Sequence, residues 1–317
     1  MKNILITGGA GFIGSNLVDT LIKDTQIKIT CLDNFDPFYN PEIKKRNIAP
    51  HIKKFNYTFL KGDIRSINRV KRKLSHHYDA IIHLAAKVGV KPSISDPIVY
   101  TDVNINGTQN MLEFARDLDC KKFIFASSSS IYGINPKVPW NEDDYNLSPI
   151  SPYASTKISA ELLGRVYAHL YHFQFISLRF FTVYGPQMRP DLAIHKFANL
   201  ILQGKPITMY GNGKTKRDYT YIDDIVSGVI AALNYSSSQY EIINLGNNHP
   251  VELRILISLL EKALGKKAIV KKLPEQQGDV PVTCADIKKA QKLLGYMPKT
   301  NLQTGLQKFV SWFKSQK

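Results

Sequence analysis

Lys2-Asn-Ile-Leu-Ile-Thr7 runs into Gly8-Gly-Ala-Gly-Phe-Ile-Gly14, and residues 15–22 then repeat apolar side chains with a helical period. Strand, glycine turn and helix in that order make a dinucleotide fingerprint. Gly8 permits the tight turn, Gly11 lets the backbone approach a pyrophosphate at the helix N-terminus, and Gly14 lets helix and strand pack closely. Phe12 and Ile13 lie inside the same turn and share its ligand. A second strand, residues 27–32, ends in Asp33-Asn34, the separation at which an acidic residue receives the adenosine ribose hydroxyls. A carboxylate there repels a 2′-phosphate, so the pattern favours NAD over NADP.

Outward from this start, strands and helices alternate. Phe59-Leu-Lys-Gly-Asp63-Ile64 closes a third strand; Asp63 either addresses the adenine, with Ile64 beside it, or caps a turn. Asp79-Ala-Ile-Ile-His-Leu-Ala-Ala86 reads as a fourth strand, whose terminal Leu84, Ala85 and Ala86 let a cofactor lie flat against the backbone. His83, inside that apolar run, reads as a satisfied core histidine. Asn104, near the start of a helix over 102–118, is a further candidate cofactor contact. Strand 122–126, helix 152–171 and strand 175–180 continue the alternation, which implies a Rossmann-type, doubly wound parallel sheet.

Tyr153-Ala-Ser-Thr-Lys157 places a phenol and an ammonium four apart, on one face of a helix. Free tyrosine titrates near ~10, and a neighbouring cation that stabilises the phenolate makes it a usable base. Upstream, Phe123-Ile-Phe-Ala-Ser-Ser-Ser-Ser-Ile-Tyr-Gly133 is an apolar strand that ends in hydroxyls, at the carboxyl edge where open α/β sheets bind ligands. Ser128 then hydrogen-bonds the group that Tyr153 deprotonates. Base, hydroxyl and hydride carrier occur together.

After Tyr184-Gly-Pro186 the elements shorten, with helices expected over 192–202, 223–233, 253–264 and 302–313. Residues 1–185 therefore read mainly as the NAD-binding domain. Residues 186–317 read mainly as a smaller α/β substrate domain, some of whose segments return to the first. The cleft between them is the expected ligand site. The net charge of +16 raises nucleic acid as a partner. The basic pairs are dispersed and lack interleaved aromatics, which argues against nucleic acid, though a basic nucleic-acid binder stays among the competing readings, and an anionic small substrate would also gain from the field. No run reaches the ~18 apolar residues of a membrane span, and no signal peptide precedes the first strand. Cys31, Cys120 and Cys284 are far apart, with neither disulfide spacing nor a metal-ligand cluster. A soluble, cytoplasmic, metal-free enzyme is the expectation.

With the glycine turn, Ser128, Tyr153, Lys157 and Arg217-Asp-Tyr-Thr-Tyr-Ile-Asp-Asp224 in hand, the whole chain resembles extended short-chain dehydrogenases/reductases, the sugar-nucleotide epimerase and dehydratase superfamily. Asp33-Asn-Phe-Asp-Pro-Phe-Tyr39, Arg179-Phe-Phe-Thr-Val-Tyr-Gly-Pro186 followed by Arg189-Pro-Asp191, and Gln277-Gly-Asp-Val-Pro-Val-Thr283 look most like the UDP-glucuronate 4-epimerases among them. The resemblance implies that Tyr153 removes the 4-hydroxyl proton while hydride passes from C4 to NAD. The 4-keto intermediate turns over and takes hydride back on its other face. Lys157 depresses the tyrosine pKa and holds the nicotinamide ribose, and NAD stays bound through the cycle.

The same resemblance gives Thr182 and Arg189 to the substrate carboxylate, Arg217 to the diphosphate and Asp279 to the uridine ribose region. Lys91, Ser129 and Ser130 join them as substrate contacts. Related dehydratases and decarboxylases carry acids where Ser129 and Ser130 stand, so elimination lacks its general acid here. UDP-glucose or UDP-N-acetylglucosamine 4-epimerisation, decarboxylation of UDP-glucuronate, and an NAD-binding scaffold are the competing readings. Lys87, Val88, Lys91 and Cys284 depart from the common pattern. Relatives pair through the helices near 104–118 and 152–171, which implies a homodimer.

Overall fold

The computed structural model describes residues 2–74, 77–274 and 280–316. Its centre is a seven-stranded sheet, in which every adjacent pair is parallel. The strands are β1 (Lys2–Thr7), β2 (Ile27–Asp33), β3 (Tyr57–Lys61), β4 (Ala80–His83), β5 (Lys122–Ser128) and β6 (Gln174–Phe180), with Tyr240–Leu245 as the seventh. Counting Thr182–Tyr184 (β7), Ile207–Tyr210 (β8) and Lys216–Tyr221 (β9) between them, that seventh strand is β10. The spatial order is β3-β2-β1-β4-β5-β6-β10. Its direction reverses between β1 and β4, so a crevice opens at their carboxyl ends, where the glycine turn begins.

Both faces of the sheet are buried, which is why its strands read as near-continuous apolar runs. Ile4, Ile6, Ile82 and Ile124 point to one face and meet Leu17 and Val18 of α1 (Phe12–Leu21). Leu5, Ile81, Phe123 and Phe175 point to the other and meet Met111 and Phe114 of helix Gly107–Asp117 and Tyr167 of helix Pro152–Tyr171. The latter helix has Pro152 in its first turn and Ser151 as its cap, accepting from the Ala154 amide at 3.2 Å. It ends where His172 turns left-handed, at φ 56°.

The expected helix at 102–118 begins earlier: helix Pro97–Thr101 leads through a π-helical turn, Asp102–Asn106, into Gly107–Asp117. The wide turn carries Asn104, and such turns are enriched at functional sites.

The second lobe joins β7, β9 and Pro250–Glu252 (β11) in one small sheet, and β8 with Val270–Leu273 (β12) in another. Helices Ala193–Leu202, Leu253–Leu264, Lys288–Leu294 and Leu302–Ser315 accompany them. The chain crosses between lobes, because helix Ile222–Asn234 packs on α1, β5 and β6, and β10 pairs with β6. Among the described residues no helix is long and apolar enough to cross a membrane, and none form a metal-ligating cluster.

Candidate active site

One cleft of about 620 Å³ runs from the glycine turn to the second lobe. Its dinucleotide end is shaped by the backbone. Gly8 sits at φ +72°, and a Cβ there would lie 2.7 Å from the Ala85 nitrogen. At Gly14 a Cβ would lie 2.3 Å from the Gly8 carbonyl oxygen, so helix and turn touch through the missing side chain. Gly11 caps α1 with no side-chain hydrogen bond, which leaves first-turn N–H groups for an anion. Ser127 adds a buried hydroxyl without a partner on the cleft wall. These features fit a dinucleotide.

Phe12, Ile13, Asn34, Ile64, Leu84, Ala85 and Ala86 line the same end with Asp33 and Asp63. The Asp33 carboxyl is buried and pushed above the usual carboxylate range by that burial; Lys44, 3.8 Å away, and the Phe35 amide at 2.8 Å oppose the rise. Asp63 caps the turn Ile64–Ser66 through the Arg65 amide and also receives the Arg65 guanidinium and the Asn34 amide. The Arg65 hydrogen bonds first, then Asn34, hold it down at about 2. The turn-capping reading of Asp63 thus describes its present bonds, at a place on the cleft wall.

Asn104 is not among the cleft-lining residues. Buried, it accepts from the Lys87 amide at 2.7 Å and donates to the Lys87 carbonyl and to Thr156 Oγ1, each at 3.0 Å. It braces the loop after β4 against the helix of Tyr153. His83 is a core histidine, bonded to Thr7 at 2.7 Å and Thr108 at 3.1 Å, and burial pushes its pKa down to about 3.

The chemistry-bearing residues meet at the cleft's middle. Ser128, at the carboxyl end of β5, accepts from the Ser130 amide at 3.2 Å and the Ser130 hydroxyl at 3.0 Å, and its hydroxyl favours ionisation of the Tyr153 phenol. Burial raises the Tyr153 pKa; the Ser128 hydrogen bond, and after it the Arg189 charge, pull it back. Lys157 donates to the Ala126 carbonyl oxygen at 2.7 Å, with its Nζ 5.9 Å from the Tyr153 ring centroid. Burial pushes the ammonium down to about 7, against the raising effect of Glu161. Glu161 is in turn held by Arg179 through Nη2 at 2.8 Å and Nε at 3.1 Å, in a fully enclosed pair that also bonds Ser177.

Toward the second lobe the cleft is lined by Lys91, Ser129, Ser130, Thr182, Arg189 and Arg217. The Lys91 ammonium lies 5.4 Å from the Tyr210 ring centroid. Arg217 donates to the Lys216 carbonyl at 2.8 Å, and Arg189 forks onto Asp191. Asp279 lies outside the described residues.

The cleft is also lined by residues to which the sequence assigned no contact: Asp36, Phe38, Tyr39 and Thr283, read only as parts of motifs, Lys87, read only as a departure, and Lys44 and Trp140. The loop after β2 had a visible signal. Asp33, Asn34 and Asp36 each accept the amide two residues on, at 2.8, 2.8 and 2.9 Å, a run of three Asx turns written in the sequence as closely spaced Asp and Asn.

A family model described as GDP-mannose 4,6 dehydratase matches residues 5–309. A UDP-glucuronate 4-epimerase of Thermodesulfobacterium geofontis is 42% identical, over 99% of this chain and 97% of that protein. An uncharacterised protein of Methanocaldococcus jannaschii is 48% identical, over 100% of this chain and 97% of that one. Among solved structures, UDP-glucuronic acid 4-epimerase from Bacillus cereus in complex with UDP-glucuronic acid and NAD superposes with a TM-score of 0.92 at 36% identity, covering 99% of this chain and 100% of that one.

Proposed function

The chain belongs to the extended short-chain dehydrogenase/reductase family, and from that premise we propose that it interconverts UDP-glucuronate and UDP-galacturonate by NAD-dependent epimerisation at C4. The observation that carries this reading is a single cleft lined by the glycine turn, by Ser128, Tyr153 and Lys157 and, beyond them, by Thr182 and Arg189.

The chemistry that bound NAD supplies is reversible acceptance of the C4 hydride. The residues to hold it are the turn Gly8 to Gly14, Asp33 at the adenosine end and Lys157 at the nicotinamide ribose. Tyr153 takes the 4-hydroxyl proton and later returns it. Burial disfavours the phenolate that must accept this proton, while Ser128 and Arg189 favour it, and their balance sets how readily the base form is reached. Thr182 and Arg189 grip the substrate carboxylate. That grip has a second use, because a 4-keto uronate carries its carboxylate β to the ketone and must be kept from aligning for loss of carbon dioxide.

The described acids lining the cleft are Asp33, at the end of β2, and Asp36 and Asp63, in the loops after β2 and β3. Ser129 and Ser130 stand beside Ser128 instead, which supports epimerisation over dehydration or decarboxylation. We extend the proposal to a homodimer: Leu162, Val166 and Leu170 expose an apolar stripe at four-residue spacing along helix Pro152–Tyr171. Three free, buried thiols fit a reducing compartment such as the cytoplasm.

Purified protein incubated with UDP-glucuronate, without added reductant, is expected to give the galacturonate H4 signal by NMR, and Tyr153→Phe is expected not to. Conversion of UDP-glucose instead would reject the carboxylate grip; release of a UDP-pentose would reject the argument from the missing acid.

A further inference from the structure

We propose that Phe38 is a specificity-determining residue, its ring positioning the Arg189 guanidinium at the sugar end of the cleft and thereby setting the preference for an anionic sugar. The inference rests on Arg189 as the partner of the substrate carboxylate.

Arg189 has two described contacts that pull in different directions. Asp191 grips it fork to fork, Nε to Oδ1 at 3.0 Å and Nη2 to Oδ2 at 2.9 Å. The Asp191 side chain is 35% exposed and that of Arg189 17%, so this grip alone leads outward. Against it, the Phe38 ring centroid lies 5.8 Å from Arg189 Cζ, within the reach of a cation–π contact. A guanidinium suits such a seat, being planar and weakly hydrated. A ring holds it without competing for its N–H donors, which stay available to an arriving carboxylate once Asp191 shares them. From this seat the Arg189 charge reaches the Tyr153 phenol, at the reacting end of the cleft.

Both halves of the contact are anchored to rigid elements. The Phe38 amide donates to Asp36 Oδ1 at 2.9 Å, and the Asp36 carboxylate receives Lys87 Nζ on both oxygens, at 3.0 and 3.1 Å. Lys87 Nζ itself lies 5.7 Å from the Phe38 ring. Its backbone is clamped on both sides by Asn104, which also bonds Thr156, the neighbour of Lys157. On the other side, Asn16 of α1 donates to the Pro186 carbonyl at 3.2 Å, and Gln187 donates to Asp19 at 2.9 Å. The ring and the guanidinium are thus each tied to helical elements that flank the dinucleotide sheet, the Asn104 turn on one side and α1 on the other. Such preorganisation raises affinity by lowering the ordering cost of binding.

The test uses holoenzyme carrying Tyr153→Phe to stop turnover, with UDP-glucuronate, UDP-glucose and UDP as calorimetric ligands. Phe38→Leu keeps the apolar bulk and removes the ring face. It is expected to weaken UDP-glucuronate about tenfold and to leave UDP-glucose and UDP within about twofold, with bound NAD unchanged. Phe38→Tyr is expected to retain the preference. Combined with Arg189→Gln, Phe38→Leu is expected to add nothing further, because both remove the same interaction. Equal weakening of all three ligands, full retention by Phe38→Leu, or additivity with Arg189→Gln would each overturn the inference. Absence of any glucuronate preference in the Tyr153→Phe holoenzyme would overturn the substrate reading along with it, whereas a preference untouched by Phe38→Leu overturns the inference alone.

Discussion

The Lys157 ammonium is tied to the Ala126 carbonyl oxygen at 2.7 Å, from a side chain buried under the helix that carries it. A carbonyl orients a cation but does not neutralise it, and burial brings the lysine down to about 7 from its ordinary 10.5. Below pH 7 both folded and unfolded states carry the charge, so the fold bears the full cost of enclosing it. That cost fades as pH rises from about 7 toward 10.5.

Lys157→Met is therefore expected to be most favourable to stability, relative to the parent, below pH 7. The advantage should shrink at up to about 1.4 kcal/mol per pH unit through the window above it. Denaturant unfolding of dinucleotide-free protein from pH 6 to 10 checks this. Turnover should fall roughly 100-fold in the same variant. A stability difference that does not change with pH would mean Lys157 is not enclosed as a cation.

Ser128 supplies the hydrogen bond that opposes the burial-driven rise at Tyr153. Its removal in Ser128→Ala leaves the phenol harder to ionise. Because the base must be deprotonated, the acid limb of the kcat/KM profile for UDP-glucuronate should move to higher pH by roughly one unit. The rate at neutral pH should fall about tenfold or more. An unmoved limb with a lower plateau would assign Ser128 to binding alone.

Glu161 and Arg179 form an enclosed ion pair, 4% and 2% exposed at their side chains. Glu161→Gln strands the guanidinium and is expected to cost about 3–5 kcal/mol in urea unfolding. Adding Arg179→Met removes the stranded charge and should recover most of that loss, though Tyr132, which receives Arg179 Nη1 at 2.9 Å, loses a partner.

Gly14→Ala would place a methyl 2.3 Å from the Gly8 carbonyl oxygen and 2.6 Å from Gly9 Cα, both backbone atoms that cannot rotate away. The turn must open. The purified variant is expected to retain less than about a tenth of the parent's bound NAD, measured after denaturation and release, with its unfolding transition still cooperative.

The sequence was most legible where function depends on local pattern. The glycine turn, the hydroxyl-ended strand and the Tyr153–Lys157 spacing each occupy a few consecutive residues with strict geometric needs, and each lies on the cleft. The Rossmann sheet was legible through its alternation of elements. Asn104 was harder, because an amide on a helix beside a cofactor cleft can bond in either direction; its donors and acceptor go to the Lys87 backbone and Thr156. Phe38, Lys87 and Trp140 had no contact assigned to them from local pattern, although Phe38 lies in the Asp33 to Tyr39 motif and Lys87 stood out as a departure. Their roles arise from contacts with residues 51, 151 and more than a hundred positions away, such as Lys87 to Asp36, Arg189 to Phe38 and the Trp140 carbonyl to Asn244. The opposition of burial and partner at Tyr153 and Lys157 likewise depends on enclosure, which only the fold supplies.

Because β10 is the outer strand beside β6, residues 1–185 do not by themselves complete the seven-stranded sheet. A ribosome that has delivered residues 1–185 has released a sheet whose β6 edge is still bare, a state open to pairing with the wrong neighbour. The closing strand arrives only after β8, β9 and helix Ile222–Asn234 have been synthesised. A chain cut after residue 185 lacks a strand of its own main sheet.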